Sequence, residues 1–242
     1  MRYDVIIPAR NEESTVAAVV RAACAAPGVN EVVLVDDGST DGTAAAARAA
    51  GARVVATTSP GDKGRAMETG VAATSSDTVV FFDADITGVL PAHFATLAAP
   101  VLEGRAALSC GLVDYGSVRN TLFLRFPPIT GLRAMPRWVF MAVEPSRRSG
   151  FKIEIMINEV VARRRLPSKI RVLSGLGHRS KIEKTGWGEG VRSHWRMTWE
   201  LIGCLRTVPL WTYGTYLSRL TVLPPTGPSG GGPLPAPQSE VI

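Results

Sequence analysis

Between Val79 and Asp85 the chain reads Val-Val-Phe-Phe-Asp-Ala-Asp: four apolar residues that stop at two carboxylates spaced i, i+2. A short β-branched and aromatic run without alternation fits a strand buried on both faces, and such strands belong to parallel sheets covered by helices. In an open sheet of that kind ligands bind outside the C-terminal strand ends. Two aspartates at that edge repel each other and lose hydration. A divalent cation relieves both penalties, and carboxylate oxygens suit Mg2+ or Mn2+, which typically clamp a diphosphate. The alternative is a pair of solvated carboxylates that merely end a strand.

The flanking sequence repeats the theme. Tyr3 to Pro8 is a short β-branched strand stopped by proline, and Asn11 to Thr15 opens a helix with acidic residues in its first turn. Glu31 to Val35 is the next strand. It runs into Asp36-Asp37-Gly38-Ser39-Thr40-Asp41-Gly42-Thr43, a loop of small and turn-forming residues, and then an alanine-rich helix. Ala52 to Ala56 is a third strand, and Lys63 starts a third helix. This alternation predicts an α/β fold: a Rossmann-like, mostly parallel sheet with right-handed crossovers and helices on both faces. Further on, Pro91 to Leu102 and Gly150 to Arg164 read as helices. Ala107 to Val113 and Ile170 to Leu173 read as strands, and Phe126-Pro127-Pro128 as a break.

The formal net charge of +6 favours anionic partners: a nucleotide, a phosphorylated substrate or an anionic membrane face. Nucleic acid has only that charge behind it and no motif, so no such partner is expected. Cys24, Cys110 and Cys204 lie far apart with no paired spacing, which fits reduced thiols and no zinc site. There is no charged-then-apolar leader and no run of about 18 apolar residues, so a cytoplasmic protein that does not span a membrane is expected.

Pro8, Glu12, Asp37 and Lys63 all fall at C-terminal strand ends or at the helix starts just after them, and in a parallel sheet those ends converge on one rim. An aspartate there can accept the imide N–H of a uracil ring, and a lysine can neutralise a phosphate. Taken one at a time, Glu12 and Lys63 can equally be residues that satisfy helix ends.

Four stretches then occur in the order and spacing seen in family-2-type glycosyltransferases: Val5-Ile6-Ile7-Pro8-Ala9-Arg10-Asn11-Glu12-Glu13, Val35-Asp36-Asp37-Gly38-Ser39-Thr40-Asp41-Gly42-Thr43, Lys63-Gly64 with Gly70, and Phe82-Asp83-Ala84-Asp85. The chain resembles that family and its GT-A fold, a nucleotide-sugar half followed by an acceptor half. The resemblance implies a nucleotide-sugar site built from Pro8, Ala9, Arg10, Glu12, Asp36, Asp37, Lys63, Gly64, Asp83 and Ala84. Asp37 would lie near the base, ahead of Asp36. Asp83 and Asp85 would be the metal motif.

In the second half, Gly150-Phe151-Lys152-Ile153-Glu154, Asn158, and Gly175-Leu176-Gly177-His178-Arg179-Ser180-Lys181 resemble the acceptor half of glucosyl-3-phosphoglycerate synthases and soluble relatives. This implies that Glu154 contacts the donor sugar and that His178 completes the metal shell. On its own a lone histidine is more often a surface or core residue. Asp85 and Glu154 are the residues expected at the reaction centre.

Thr130-Gly131-Leu132-Arg133 follows the proline break. It either opens a short helix whose N-terminus and arginine hold an anionic acceptor, or is an ordinary loop. Trp187 to Leu223 interleaves Trp187, Trp195, Trp199, Trp211 and Tyr213 with arginines. It reads as a C-terminal helix on the sheet or a homodimer contact, against peripheral contact with a membrane.

The expected organisation is one domain over 1–223, with a nucleotide-sugar half (1–105) and an acceptor half with C-terminal helices (106–223). A proline- and glycine-rich tail over 224–242 is expected to be disordered. The expected activity is metal-dependent transfer of a hexose, from a UDP-sugar rather than another donor, to an anionic small molecule such as a phosphoacid. The alternatives are a polyprenyl or lipid phosphate acceptor, a nucleotidyltransferase, or a non-catalytic nucleotide-sugar-binding protein.

Overall fold

The structure, a computed structural model, describes residues 2–116, 119–121, 124, 128–150, 152–178 and 209–226, with the backbone only at 178 and 210. The first half alternates as expected: β1 (Tyr3–Ala9), α1 (Glu13–Cys24), β2 (Val29–Asp36), α2 (Thr43–Ala49), β3 (Arg53–Ala56), α3 (Lys63–Ala73) and β4 (Thr78–Phe81). A two-residue strand β5 (Ile86–Thr87) and α4 (Pro91–Leu102) lead into β6 (Leu108–Val113). Then come β7 (Arg133–Pro136), α5 (Arg137–Met141), α6 (Ile153–Arg163), β8 (Ser168–Leu173), β9 (Gly177–His178), α7 (Leu210–Ser218) and β10 (Leu220–Val222).

The main sheet runs β10-β8-β6-β7-β4-β1-β2-β3. Every neighbouring pair is parallel except those made by β7, which lies antiparallel between β4 and β6. β4 stands near the middle with all four residues buried. Its alternation divides the core in two. Val80 and Phe82 join Val16, Val20, Phe94 and Leu97 on the α1 and α4 face. Val79 and Phe81 join Met67, Phe140 and Ile157 on the α3, α5 and α6 face. Ring pairs fix each side, Phe82 with Phe94 at 4.4 Å between centroids and Phe81 with Phe140 at 5.6 Å. Each such buried ring contributes about 1.5–3 kcal/mol.

One expectation is corrected. Thr130 to Arg133 does not open a helix: Arg133 begins β7, paired with Phe81 on one side and Cys110 on the other. A strand bracketed by two others satisfies backbone groups that an isolated helical turn would leave open. Hydrogen bonding to the sheet continues past Leu223. Leu223 N donates to Ile170 O at 2.8 Å, and Thr226 N to Val172 O at 3.2 Å. Thr226 Oγ1 accepts from Ser174 N at 2.7 Å, and its carbonyl accepts from Ser174 Oγ at 2.6 Å. Residues 227–242 lie outside the described set. A chain ending at Leu223 should therefore melt below one ending at Thr226, by about 1–3 kcal/mol of stability, since several hydrogen bonds at the β8 rim lose their partner. Paired thermal melts check this.

No described helix is long and apolar enough to cross a membrane.

Candidate active site

The rim is built by the turns that leave β1, β2 and β4. Asn11 adopts a left-handed backbone, φ 57°, which asparagine tolerates. Its amide donates to Ser39 Oγ at 3.1 Å, and its Oδ1 accepts from Thr40 N at 2.8 Å. Glu12 N donates to Thr43 Oγ1 at 2.7 Å. These bonds stitch the turn carrying Pro8, Ala9 and Arg10 to the loop carrying Asp36 and Asp37.

The two aspartates divide their work. Asp36 Oδ1 accepts from Ser39 N at 2.9 Å, so it shapes its own turn. Asp37 is buried, donates its amide to Ala9 O at 2.8 Å and accepts from Gly61 N through Oδ1 at 2.9 Å. Burial pushes its carboxyl above the usual aspartate value, while the Gly61 amide and the Arg10 charge oppose that shift. Asp37 is thus a desolvated carboxyl held by backbone bonds beside the β1 and β2 ends.

Lys63 is the first residue of α3, and Asp62 before it caps the helix by accepting from Arg65 N at 3.1 Å. The Lys63 ammonium lies 3.0 Å from Asp83 Oδ1 and 2.9 Å from Glu154 Oε1. Burial works against its charge, but the two carboxylates outweigh burial and hold its pKa above that of ordinary lysine. Glu154, one residue into α6, is itself buried. Burial would raise its pKa, yet Lys63 first and then Arg133 hold it below the usual glutamate range.

The Thr130–Arg133 stretch packs beneath the Lys63–Glu154 pair and the Asp83 carboxylate. Arg133 is 0% exposed. Its Nε donates to Thr130 O at 2.8 Å and its Nη1 to Glu154 O at 3.2 Å, and its Nη2 stands 3.8 Å from Glu154 Oε2. Thr130 Oγ1 donates to Gly111 O at 2.9 Å and accepts from Leu132 N at 3.1 Å. Gly131 packs directly on the Asp83 carboxylate, and a Cβ there would run into both carboxylate oxygens. Gly131→Ala should therefore displace Asp83 and weaken metal-dependent nucleotide binding about ten-fold, with the fold retained, the scale known for disturbed support around metal ligands. Calorimetric titration of the variant with UDP and Mn2+ checks it.

Asp83 and Asp85 follow β4 on the same edge. Burial, and then the charges of Asp85 and Asp83, push the Tyr115 phenol above its usual pKa. Among the described residues no three His, Cys, Asp or Glu side chains gather into a metal cage. The backbone of His178, however, is paired with Ile86, the residue after Asp85, across the β5–β9 ladder. The side chain of His178 lies outside the described set. The donor set at hand, two hard carboxylates with a histidine position beside them, fits a divalent cation such as Mg2+ or Mn2+.

Sequence reasoning missed the two partners of Lys63 taken together, the inward role of Arg133 and the packing of Gly131 under Asp83. The helix start at Asp62-Lys63 was a legible signal; contacts across 91 positions to Glu154 carried none.

A family model described as Glycosyl transferase family 2 matches residues 4–159. The glucosyl-3-phosphoglycerate synthase of Mycobacterium tuberculosis is 39% identical over 110 residues, covering 41% of this chain and 34% of that protein. The enzyme of the same name from Mycolicibacterium smegmatis is 38% identical over 108 residues, covering 40% of this chain and 35% of that protein. The matches thus span about a third of the length of these curated relatives. Among solved structures, the Mycobacterium tuberculosis synthase in complex with phosphoglyceric acid superposes with a TM-score of 0.64 at 30% identity, over 74% of this chain and 72% of that one. Its complex with Mn2+, UDP-glucose and phosphoglyceric acid gives a TM-score of 0.63 at 29% identity over the same shares.

Proposed function

The chain belongs to glycosyl transferase family 2, and from that premise we propose that it transfers a hexose from a UDP-sugar to a small phosphorylated acid. The observation that carries the reading is the Asp83–Lys63–Glu154 bridge, which joins the nucleotide half of the rim to the acceptor half. The solved relative that holds Mn2+, UDP-glucose and phosphoglyceric acid together supports the choice of donor and acceptor.

Asp37 takes the base, using its buried carboxylate as acceptor. Asp83 and Asp85, with His178 from β9, would hold the cation, which when bound offsets the charge on the departing diphosphate. Lys63 keeps Glu154 ionised and aimed at the rim. A carboxylate stabilised by two cations is a weak base. Glu154 therefore serves the sugar as hydrogen-bond acceptor and fixed charge rather than as a proton acceptor, which suits transfer with retention of configuration.

A thermal-shift screen of UDP-, ADP- and GDP-sugars with and without Mn2+ tests the donor site. A UDP-sugar should raise the melting point only with the metal, because a ligand bound to the folded state alone stabilises it. A shift that ignores Mn2+, or none with any nucleotide sugar, would contradict the reading.

One observation favours added contact with a membrane surface or a second copy. Trp138 and Trp211 are exposed, each beneath an arginine, Arg164 at 5.2 Å and Arg163 at 5.5 Å. With a soluble acceptor, anionic vesicles should leave turnover unchanged, and a mass measurement against concentration reports the dimer.

A further inference from the structure

We infer that Asp62 is a positioning residue that sets the distance between Lys63 and Glu154, by tying the start of α3 to the segment that opens α6. The inference rests on the reading that Lys63 and Glu154 work at the transfer site.

One oxygen does the joining. Asp62 Oδ1 accepts from Arg65 N at 3.1 Å and from Gly150 N at 2.7 Å. The first bond is an ordinary helix cap. The second reaches across the fold to a glycine with φ +64°, the turn just before α6.

The neighbours of Asp62 on α3 make the same junction. A Cβ on Gly64 would lie 2.6 Å from Arg148 O and 2.9 Å from Ser149 Cα, so the backbone at 148–149 rests on the helix itself. Arg148 is buried; its Nη1 donates to Glu68 Oε1 at 2.7 Å, one turn further along α3. Its other nitrogens hold Val143 O at 2.8 Å and Met141 O at 2.7 Å, which fixes the loop that arrives from α5.

Lys63 stands between Asp62 and Gly64 in sequence, and Glu154 comes four residues after Gly150. Any play between these segments acts directly on the 2.9 Å contact between Lys63 and Glu154. Gly64 and Arg148 support the junction broadly. Asp62 joins the Arg65 and Gly150 amides through one acceptor atom, and capping without spanning is chemically separable: serine caps a helix but is one atom too short to reach Gly150.

Asp62→Ser and Asp62→Asn are compared with the wild-type protein by residue-resolved amide exchange and by transfer kinetics. In Asp62→Ser the Gly150 amide should exchange faster while the Arg65 amide stays protected. Transfer kcat should fall about ten-fold or more with the donor KM within about two-fold, because small misplacement costs rate rather than binding. Asp62→Asn keeps the carbonyl oxygen and should restore both readouts. Wild-type exchange at Gly150 and wild-type kcat in Asp62→Ser would overturn the inference. So would joint loss of Arg65 protection and melting point, which marks a helix cap and nothing more. If the wild-type protein turns over no nucleotide sugar, the proposed function fails, and the exchange at Gly150 still decides whether Asp62 ties the two segments.

Discussion

Asp85→Ala is expected to abolish metal-dependent binding of the nucleoside diphosphate while leaving the fold intact. Asp85 follows β4 on the rim, outside both core clusters, so its removal opens no cavity among the packed rings. It also relieves repulsion with Asp83, which keeps Lys63 as its partner at 3.0 Å. What is lost is one of two hard oxygen donors placed on the same edge. Affinity for UDP in the presence of Mn2+ should fall by at least about 100-fold, the upper end of the scale for lost supporting contacts. His178→Ala should cost about 10–100-fold on the same scale. Calorimetric titration reads both, and unchanged affinity in Asp85→Ala would remove the metal role from this edge.

Arg133→Ala should be the most damaging change to stability near the site. The guanidinium is fully buried and donates to the Thr130 and Glu154 carbonyls, while its charge faces the Glu154 carboxylate. Truncation removes the donor that Thr130 O accepts from and gives Glu154 one cation instead of two. Breaking a buried pair from one side typically costs about 3–5 kcal/mol, or a melting point lower by roughly 10 °C in a domain of this size. Glu154 is held below the usual glutamate range in the folded protein, so it adds stability above the unfolded value and loses it as pH falls through the folded one. The variant has less of that contribution to lose. The gap between the two melting points should therefore narrow as pH drops below about 4.3. Equal melting points at neutral pH would show that Arg133 is not the floor of the site.

Much of this fold was legible in the sequence because burial on both faces leaves a plain mark. Val79 to Phe82 reads as a central strand, and the alternation through Lys63 reads as parallel units. The convergence of Asp37, Asp83 and Asp85 at strand ends, with Lys63 at a helix start, was legible for the same reason. β7 was not legible. Its four residues include an arginine and a proline, and nothing local marks them as strand; the pairing with Phe81 and Cys110 supplies what the segment lacks. The inward turn of Arg133 was hidden likewise, since an arginine after a glycine looks like a surface anion site until its three-dimensional partners are known. Thr226 sits in a run whose composition signals disorder, yet two hydrogen bonds to Ser174 and one to Val172 carry the chain past Leu223. The contact of Lys63 with Glu154 depends on how the halves dock, which no local pattern records.

Family membership sets aside the nucleotidyltransferase alternative, and the proposed acceptor is the point still to be tested. The most direct test is product analysis by mass spectrometry after incubation with UDP-glucose, Mn2+ and 3-phosphoglycerate, with a neutral sugar and a polyprenyl phosphate as competing acceptors. The expected result is a glucosylated phosphoglycerate that forms only with the metal and vanishes in Asp85→Ala. Transfer to the neutral sugar or the polyprenyl phosphate at comparable efficiency, or no glucosylated phosphoglycerate at all, would contradict it.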